Sequence, residues 1–315
     1  MIDFRYHLVS IVSIFVALAV GIVLGAGPLQ GSIGTQLSDQ VSQLRQEKDQ
    51  LRTELDDAGR SVTQGNDYAA AVAPTALAGR LKDVTVVLVV TSDTAGQFSE
   101  VTRTALEQAG ATVTTVVTLS DAFRSPDSAA ARLTAGAQAS ALLGTTSGDD
   151  GDAVVAQVLA RTLVRGKDGA PAAPSGSVAA LQVLTKAGLI DLSDDAPARA
   201  QYAVLLGGPL SGTKDSVAAQ VATMSTLLTR LDADAEGALV ATGSPSTAVG
   251  QDVTTSLVTS VRADKQEAAT VTTVDHADSV TGAGLLVLAA AADLKGTTGH
   301  YGISSDAKSD VPSTS

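Results

Sequence analysis

The sequence predicts an α/β protein: an N-terminal transmembrane helix, a parallel coiled coil, then a doubly wound, mostly parallel sheet. Three observations carry this. An uncharged apolar run opens the chain, a four-three repeat of apolar residues follows it, and the rest alternates short β-branched runs with helical stretches. At 315 residues the chain holds one large domain or two small ones, with enough length to bury a real core.

The apolar run comes after residues 1–7 and reads LVSIVSIFVALAVGIVLGAG over residues 8–27, with no charge from Leu8 to Ser38. Twenty such residues rise about 30 Å as a helix, the hydrocarbon thickness of a bilayer. A cleaved signal peptide is the alternative, but its apolar core is normally only about 7 to 15 residues. Arg5 and the α-amino group lie on one side of the span, and the first basic residue beyond it is Arg45. The positive-inside rule then places residues 1–7 in the cytoplasm and the bulk of the chain outside, in a single pass through the cell membrane. Ala17, Gly21 and Gly25 recur every four residues, the small-residue spacing that lets two membrane helices approach.

Between span and rod the segment GAGPLQGSIG is rich in glycine with one proline, and residues 28–36 predict a flexible joint. Over residues 37–62, Leu37, Val41, Leu44, Lys48, Leu51, Leu55, Ala58 and Val62 are spaced alternately four and three apart. That is the seam of a two-stranded parallel coiled coil about 39 Å long, with Lys48 at a core position that fixes register and disfavours larger assemblies. A lone amphipathic helix docked on its own domain is the alternative, although so narrow a stripe buries little. Residues 63–83 are expected to be a linker.

Residues 84–302 predict the α/β domain. Val84 to Thr91 is a continuous β-branched run, Gln97 to Ala109 a helix, and Thr112 to Leu119 a second run. Apolar runs without alternation, separated by helices, indicate a buried parallel sheet. Ala139 to Leu143 reads as a short strand, and Ala153 to Val164 and Val178 to Ala187 as helices. Strands at Tyr202 to Leu206, Ala238 to Thr242 and Ala269 to Val274 follow, with helices at Thr213 to Leu231 and Ser279 to Leu294. The alternation is Rossmann-like. Residues 303–315 are expected to be a disordered tail.

Composition excludes several functions. Lys and Arg number 21 against 33 Asp and Glu, a formal charge of −12, which argues against nucleic acid and anionic lipid as partners. The chain has no Cys, which removes thiolate nucleophiles, disulfides, iron–sulfur clusters and cysteine zinc sites. Aromatics at 3% leave little for base stacking or the girdles of a membrane barrel.

Ligands of doubly wound sheets bind beyond the carboxyl ends of the strands. The turn after the first strand, TSDTAG, lacks the glycines of a dinucleotide fingerprint, and Gly282 and Gly284 form a GxG that follows no strand. The turn Gly207-Gly208-Pro209-Leu210-Ser211-Gly212-Thr213-Lys214 lies between a strand and a helix as a phosphate loop would, but its order is Gly-Thr-Lys. Gly207, Gly208, Gly212, Thr213 and Lys214 form a candidate anion-binding loop, with a glycine-rich helix entry as the alternative. Ser244 lacks the second glycine of a nucleophile elbow. For a metal, Asp275, His276, Asp278 and His300 are weak oxygen and nitrogen candidates, with a strand end capped by Asp278 as the alternative. Asp149-Asp150-Gly151-Asp152 lacks the distal glutamate of a calcium loop. Copper(I) prefers Cys and Met, of which the chain has none and 2.

The opening MIDFRYHLVSIVSIFVALAVGIVLGAGPLQ, the coiled coil after it, and the closing TGAG and GTTGHYG segments resemble the actinobacterial family named for the mycobacterial copper transport protein B. The resemblance spans nearly the whole chain and implies a one-span envelope protein with a role in copper homeostasis; copper enters only by this route, and no other cofactor is expected. Members have been described as outer-membrane channel proteins, and corynebacterial relatives are linked to envelope integrity and daughter-cell separation with a second membrane protein. One apolar helix cannot line a pore unless many copies assemble. The residues favour a non-enzymatic scaffold, a homodimer through the membrane helix and coiled coil that presents its α/β domain to an envelope or cell-division partner. Copper transport is the alternative.

Overall fold

A computed structural model describes residues 4–26, 28–146, 148–166, 169–170, 172–244, 253–309 and 311–312, with the backbone alone over 26 and 28–36. Contacts divide the chain into two units, Met1–Gln64 and Gly65–Ser315.

The first unit holds helix α1, Phe4–Ala26, and most of helix α2, Pro28–Leu77. The apolar part of α1, Phe4–Gly25, has a mean hydropathy of 2.8 and is long enough to cross a membrane. Neither the joint at 28–36 nor a linker beginning at 63 interrupts α2, which is helical from Pro28 to Leu77. Pro28 stands at the first helical position, where a missing N–H costs nothing. Each glycine costs only about 1 kcal/mol, too little to stop a helix with good formers on both sides. Pro74 lies inside α2, and the burial of Ala73 and Leu77 around it offsets the lost backbone bond.

In the second unit, β1 is Thr85–Thr91, α3 Gln97–Gln108, β2 Thr112–Leu119 and α4 Asp121–Arg124, followed by a 3-10 turn, Pro126–Ser128. Next come α5, Ala129–Leu142; α6, Gly151–Leu163; α7, Ser177–Lys186; and β3, Ile190–Leu192. Then β4 is Tyr202–Gly207, β5 Leu210–Gly212, α8 Lys214–Asp234, β6 Gly237–Thr242 and β7 Val253–Thr255. The last elements are α9, Leu257–Ala263; α10, Glu267–Thr270; β8, Thr272–Val274; α11, Val280–Asp293; and β9, His300–Tyr301.

Seven strands form one sheet in the order β3-β2-β1-β4-β6-β8-β9. Only β3 runs antiparallel, against β2. Val87 and Val89 enter the core shared with α5 to α9, while Val86, Leu88 and Val90 enter the core shared with α3, α11 and the end of α2. Both faces are covered, which is why β1 has no polar alternation.

Three expectations are corrected here. Ala139 to Leu143 is helical, all but its last residue within α5, because alanine-rich sequence without β-branching favours a helix. Of the run from Ala269, only Thr272–Val274 is strand, since Glu267–Thr270 forms the short α10. Residues 303–309 are ordered against the domain: the amides of Ile303 and Ser304 donate to Asp275, and Asp306 pairs with Arg262. The buried Asp275 charge requires those donors.

Candidate functional site

The strand order reverses between β1 and β4, so the crevice beyond their carboxyl ends is where an open α/β sheet binds ligands. Here it is laced shut by its own residues. The Gly208 amide donates to Thr91 Oγ1 at 3.0 Å, and Thr94 Oγ1 donates to the Leu206 carbonyl at 3.0 Å. A side chain at Gly208 would collide with the Asp93 carboxylate, which lies 3.6 Å from Arg124 Nη1. The glycine-rich turn continues as β5, which pairs with β7. Thr213 caps α8 by accepting from the Ser216 amide, and Lys214 is the exposed first residue of that helix. Gly207, Gly208, Gly212, Thr213 and Lys214 thus form a strand end, a ribbon and a helix cap. The group nearest Gly208 is a carboxylate, which opposes an anion there.

The candidate metal residues lie at the carboxyl end of β8. Arg262, carried by α9 and only 3% exposed, donates from Nη1 to Asp275 Oδ2 at 2.7 Å and to Asp306 Oδ1 at 2.9 Å. Its Nη2 reaches the Tyr301 carbonyl at 2.8 Å and its Nε reaches Thr273 Oγ1 at 2.9 Å. Asp275 Oδ1 accepts from His276 Nδ1 at 2.6 Å and from the amides of Ile303 and Ser304. Burial pushes the Asp275 carboxyl up, but the bonds from His276, Arg262 and the two amides outweigh it and leave it below its ordinary value. The cluster has a backbone cost: His276 adopts φ 51°, and Gly302, at φ 134°, has no room for a side chain beside Asp275.

These bonds decide which atoms could hold a metal. His300 is buried and uses both ring nitrogens, Nδ1 with Thr273 Oγ1 and Nε2 with the Ala268 carbonyl, each at 3.0 Å. Since the Ala268 carbonyl can only accept, His300 Nε2 carries the proton, and in the neutral ring Nδ1 accepts from the Thr273 hydroxyl. Burial, then the Lys308 charge, lower the pKa of His300, in keeping with a neutral ring. Asp278 Oδ1 accepts from Ser244 Oγ at 3.0 Å. Of the candidate atoms, His276 Nε2 and Asp278 Oδ2 are left without a bonded partner among the described residues, and Met224 is buried in the core. No three His, Cys, Asp or Glu side chains come together among the described residues. This donor set does not fit a copper(I) site, whose soft ion takes thiolate, thioether or several imidazoles.

Beside His276 a groove of about 490 Å³ opens between the end of α2 and α11, lined by Val72, Ala76, Leu285, Leu288 and Ile303 among others. Leu37, Val41, Leu44, Leu51 and Leu55 stand exposed on α2, as does Lys48. On α1, Gly21 and Gly25 have open space where a side chain would be, and Ala17 is exposed on the same helix. Sequence reasoning missed Arg262, because an arginine in a short helix gives no sign that it will be buried.

Comparison with known proteins adds a family. The family described as "Copper transport outer membrane protein, MctB" matches residues 1–312. Proteins named "Copper transporter MctB" from Mycobacterium bovis and Mycobacterium tuberculosis are 28% identical over 321 residues, covering 96% of this chain and 96% of each relative.

Proposed function

The chain belongs to the MctB family, and from that premise we propose that it is a non-enzymatic, single-pass scaffold of the cell membrane. Its N-terminus lies in the cytoplasm, two copies pair through α1 and α2, and the α/β unit is presented outside to an envelope or cell-division partner protein. The observation that carries this is the row on α2. Leu37, Val41, Leu44, Leu51 and Leu55 are all exposed in a helix that has no other use for leucine at those places. Leu37, Leu44 and Leu51 take one seam position while β-branched Val41 and Val62 take the other, the combination that favours two parallel strands. Small residues at 17, 21 and 25 suit the same pairing inside the membrane.

The test is the mass of a soluble fragment, residues 30–315, by light scattering. A dimer that becomes a monomer when residues 37–62 are deleted supports the reading; a deletion variant that stays dimeric overturns it.

Copper transport is the second reading, favoured by the names of the relatives. Copper would be cargo here, and among the described residues of the α/β unit a ready nitrogen donor is His276 Nε2, held in the required tautomer by the bond from Nδ1 to Asp275.

A further inference from the structure

The four-three spacing does not end at Val62. Counted on along α2 it falls on Gly65, Ala69, Val72 and Ala76, unbroken from Leu37. Three of these, Ala69, Val72 and Ala76, form one wall of the groove whose other wall is Gly284, Leu285 and Leu288 of α11. The neighbouring face of α2 is spent on its own unit, since Ala73 and Leu77 are buried in the core. The face in step with the seam is not: Val72 is 37% exposed, and Ile303 at the groove edge is 75% exposed.

Two facts name the occupant. The first is phase. Leu37, Leu44, Leu51, Ala58, Gly65 and Val72 share one heptad position, and Val41, Lys48, Leu55, Val62, Ala69 and Ala76 share the other. A helix paired with the rod therefore arrives over Val72 in register. The second is room. Gly65, Ala69 and Ala76 allow close approach of a second backbone, and a Cβ at Gly284 would meet nothing within 4 Å, so α11 leaves space beside them.

We propose that the groove between α2 and α11 seats the α2 helix of a second copy of this chain, so that the dimer seam continues past the rod into the α/β unit. The groove is then part of the interface and is not a small-molecule pocket. This rests on the dimeric reading above, and the experiment separates the two.

The chain has no Cys, so single cysteines report position directly. Leu51→Cys and Val72→Cys occupy the same heptad position, one in the rod and one in the groove, and at that place paired helices bring cysteines within bridging distance. Each is made in the full chain, held in detergent micelles and oxidised. Both are expected to give disulfide-linked dimers. Adding Gly284→Trp, which fills the groove from the α11 side, is expected to cut the Val72→Cys product about tenfold, equivalent to about 1.4 kcal/mol of seam contact. It leaves the Leu51→Cys product unchanged.

Cross-linking at Leu51→Cys with none at Val72→Cys overturns this proposal and spares the dimeric rod. No cross-link at either position overturns both. A Val72→Cys thiol that stays monomeric yet resists a water-soluble maleimide has another occupant over it, such as an acyl chain or the chain's own C-terminus, and this also overturns the proposal. If Gly284→Trp fails to fold, the comparison of the two single cysteines decides alone.

Discussion

Arg262 gathers four acceptors at the end of the sheet, two of them carboxylates, and it is 3% exposed. Removing one partner of a buried pair strands the other, at a cost of about 3 to 5 kcal/mol. Arg262→Met is expected to lower the stability of residues 30–315 by about that amount in urea unfolding, and to release residues 303–309 to proteolysis because Asp306 loses its partner. The pH dependence of the pair has a definite sign. Because the Asp275 pKa is depressed, its contribution is complete above the ordinary carboxylate range and is lost as pH falls through the lowered value. Asp232 behaves oppositely: burial raises it to about 6, against a bond from the Ala238 amide that lowers it. The native state then holds that proton more tightly than the unfolded chain, so Asp232 subtracts stability as pH rises from the ordinary value of 3.8 to about 6. Asp232→Asn keeps the acceptor for Ala238 and removes the titration. Its stability relative to the parent is expected to climb between pH 4 and about 6 and to level off above, which denaturant unfolding at several pH values measures. A flat difference would place the titration elsewhere.

Elements that bury apolar residues on both faces were readable from sequence, and those fixed by a partner element were not. The continuous runs of β1 and β4 announced a parallel sheet because nothing else needs unbroken Val and Leu. Strands β3, β5, β7 and β9 have two or three residues each and exist through their neighbours, with no run to see. The end of α2 was read as linker for a similar reason: Gly65, Ala69 and Ala76 keep the seam spacing without the bulk that makes it visible. At the candidate site the glycines were legible as a group, but their uses were not. Gly208 is squeezed by Asp93, whereas Gly284 sits in open space within α11. The two should therefore answer alanine differently. Gly208→Ala is expected to destabilise by about 1 to 3 kcal/mol through overpacking, partly relieved by Asp93→Ala. Gly284→Ala is expected to stabilise by about 0.5 to 1 kcal/mol through helix propensity. Thermal unfolding of the fragment checks both, and a stabilising Gly208→Ala would show that the crevice between β1 and β4 is looser than its hydrogen bonds imply.

At the scale of the whole molecule, family and chemistry pull apart, and one titration separates them. The family description and the relatives speak of copper transport, while the chain has no Cys, a buried Met224, and a His300 whose two nitrogens are both bonded. A site built on His276 Nε2 alone would bind copper weakly, because affinity grows with the number of convergent donors and the neighbouring Asp275 oxygens already serve Arg262, His276 and two amides. Copper(I) and copper(II) titrated separately into residues 30–315, with the molar mass read on the same samples, are therefore expected to show a dimer with no tight stoichiometric site, and His276→Ala is expected to change nothing. Tight binding lost in His276→Ala would instead restore the copper reading to the α/β unit. Tight binding that survives His276→Ala would move the site away from the carboxyl end of β8, to donors supplied by two chains together, and would join the copper and dimer readings in a single mechanism.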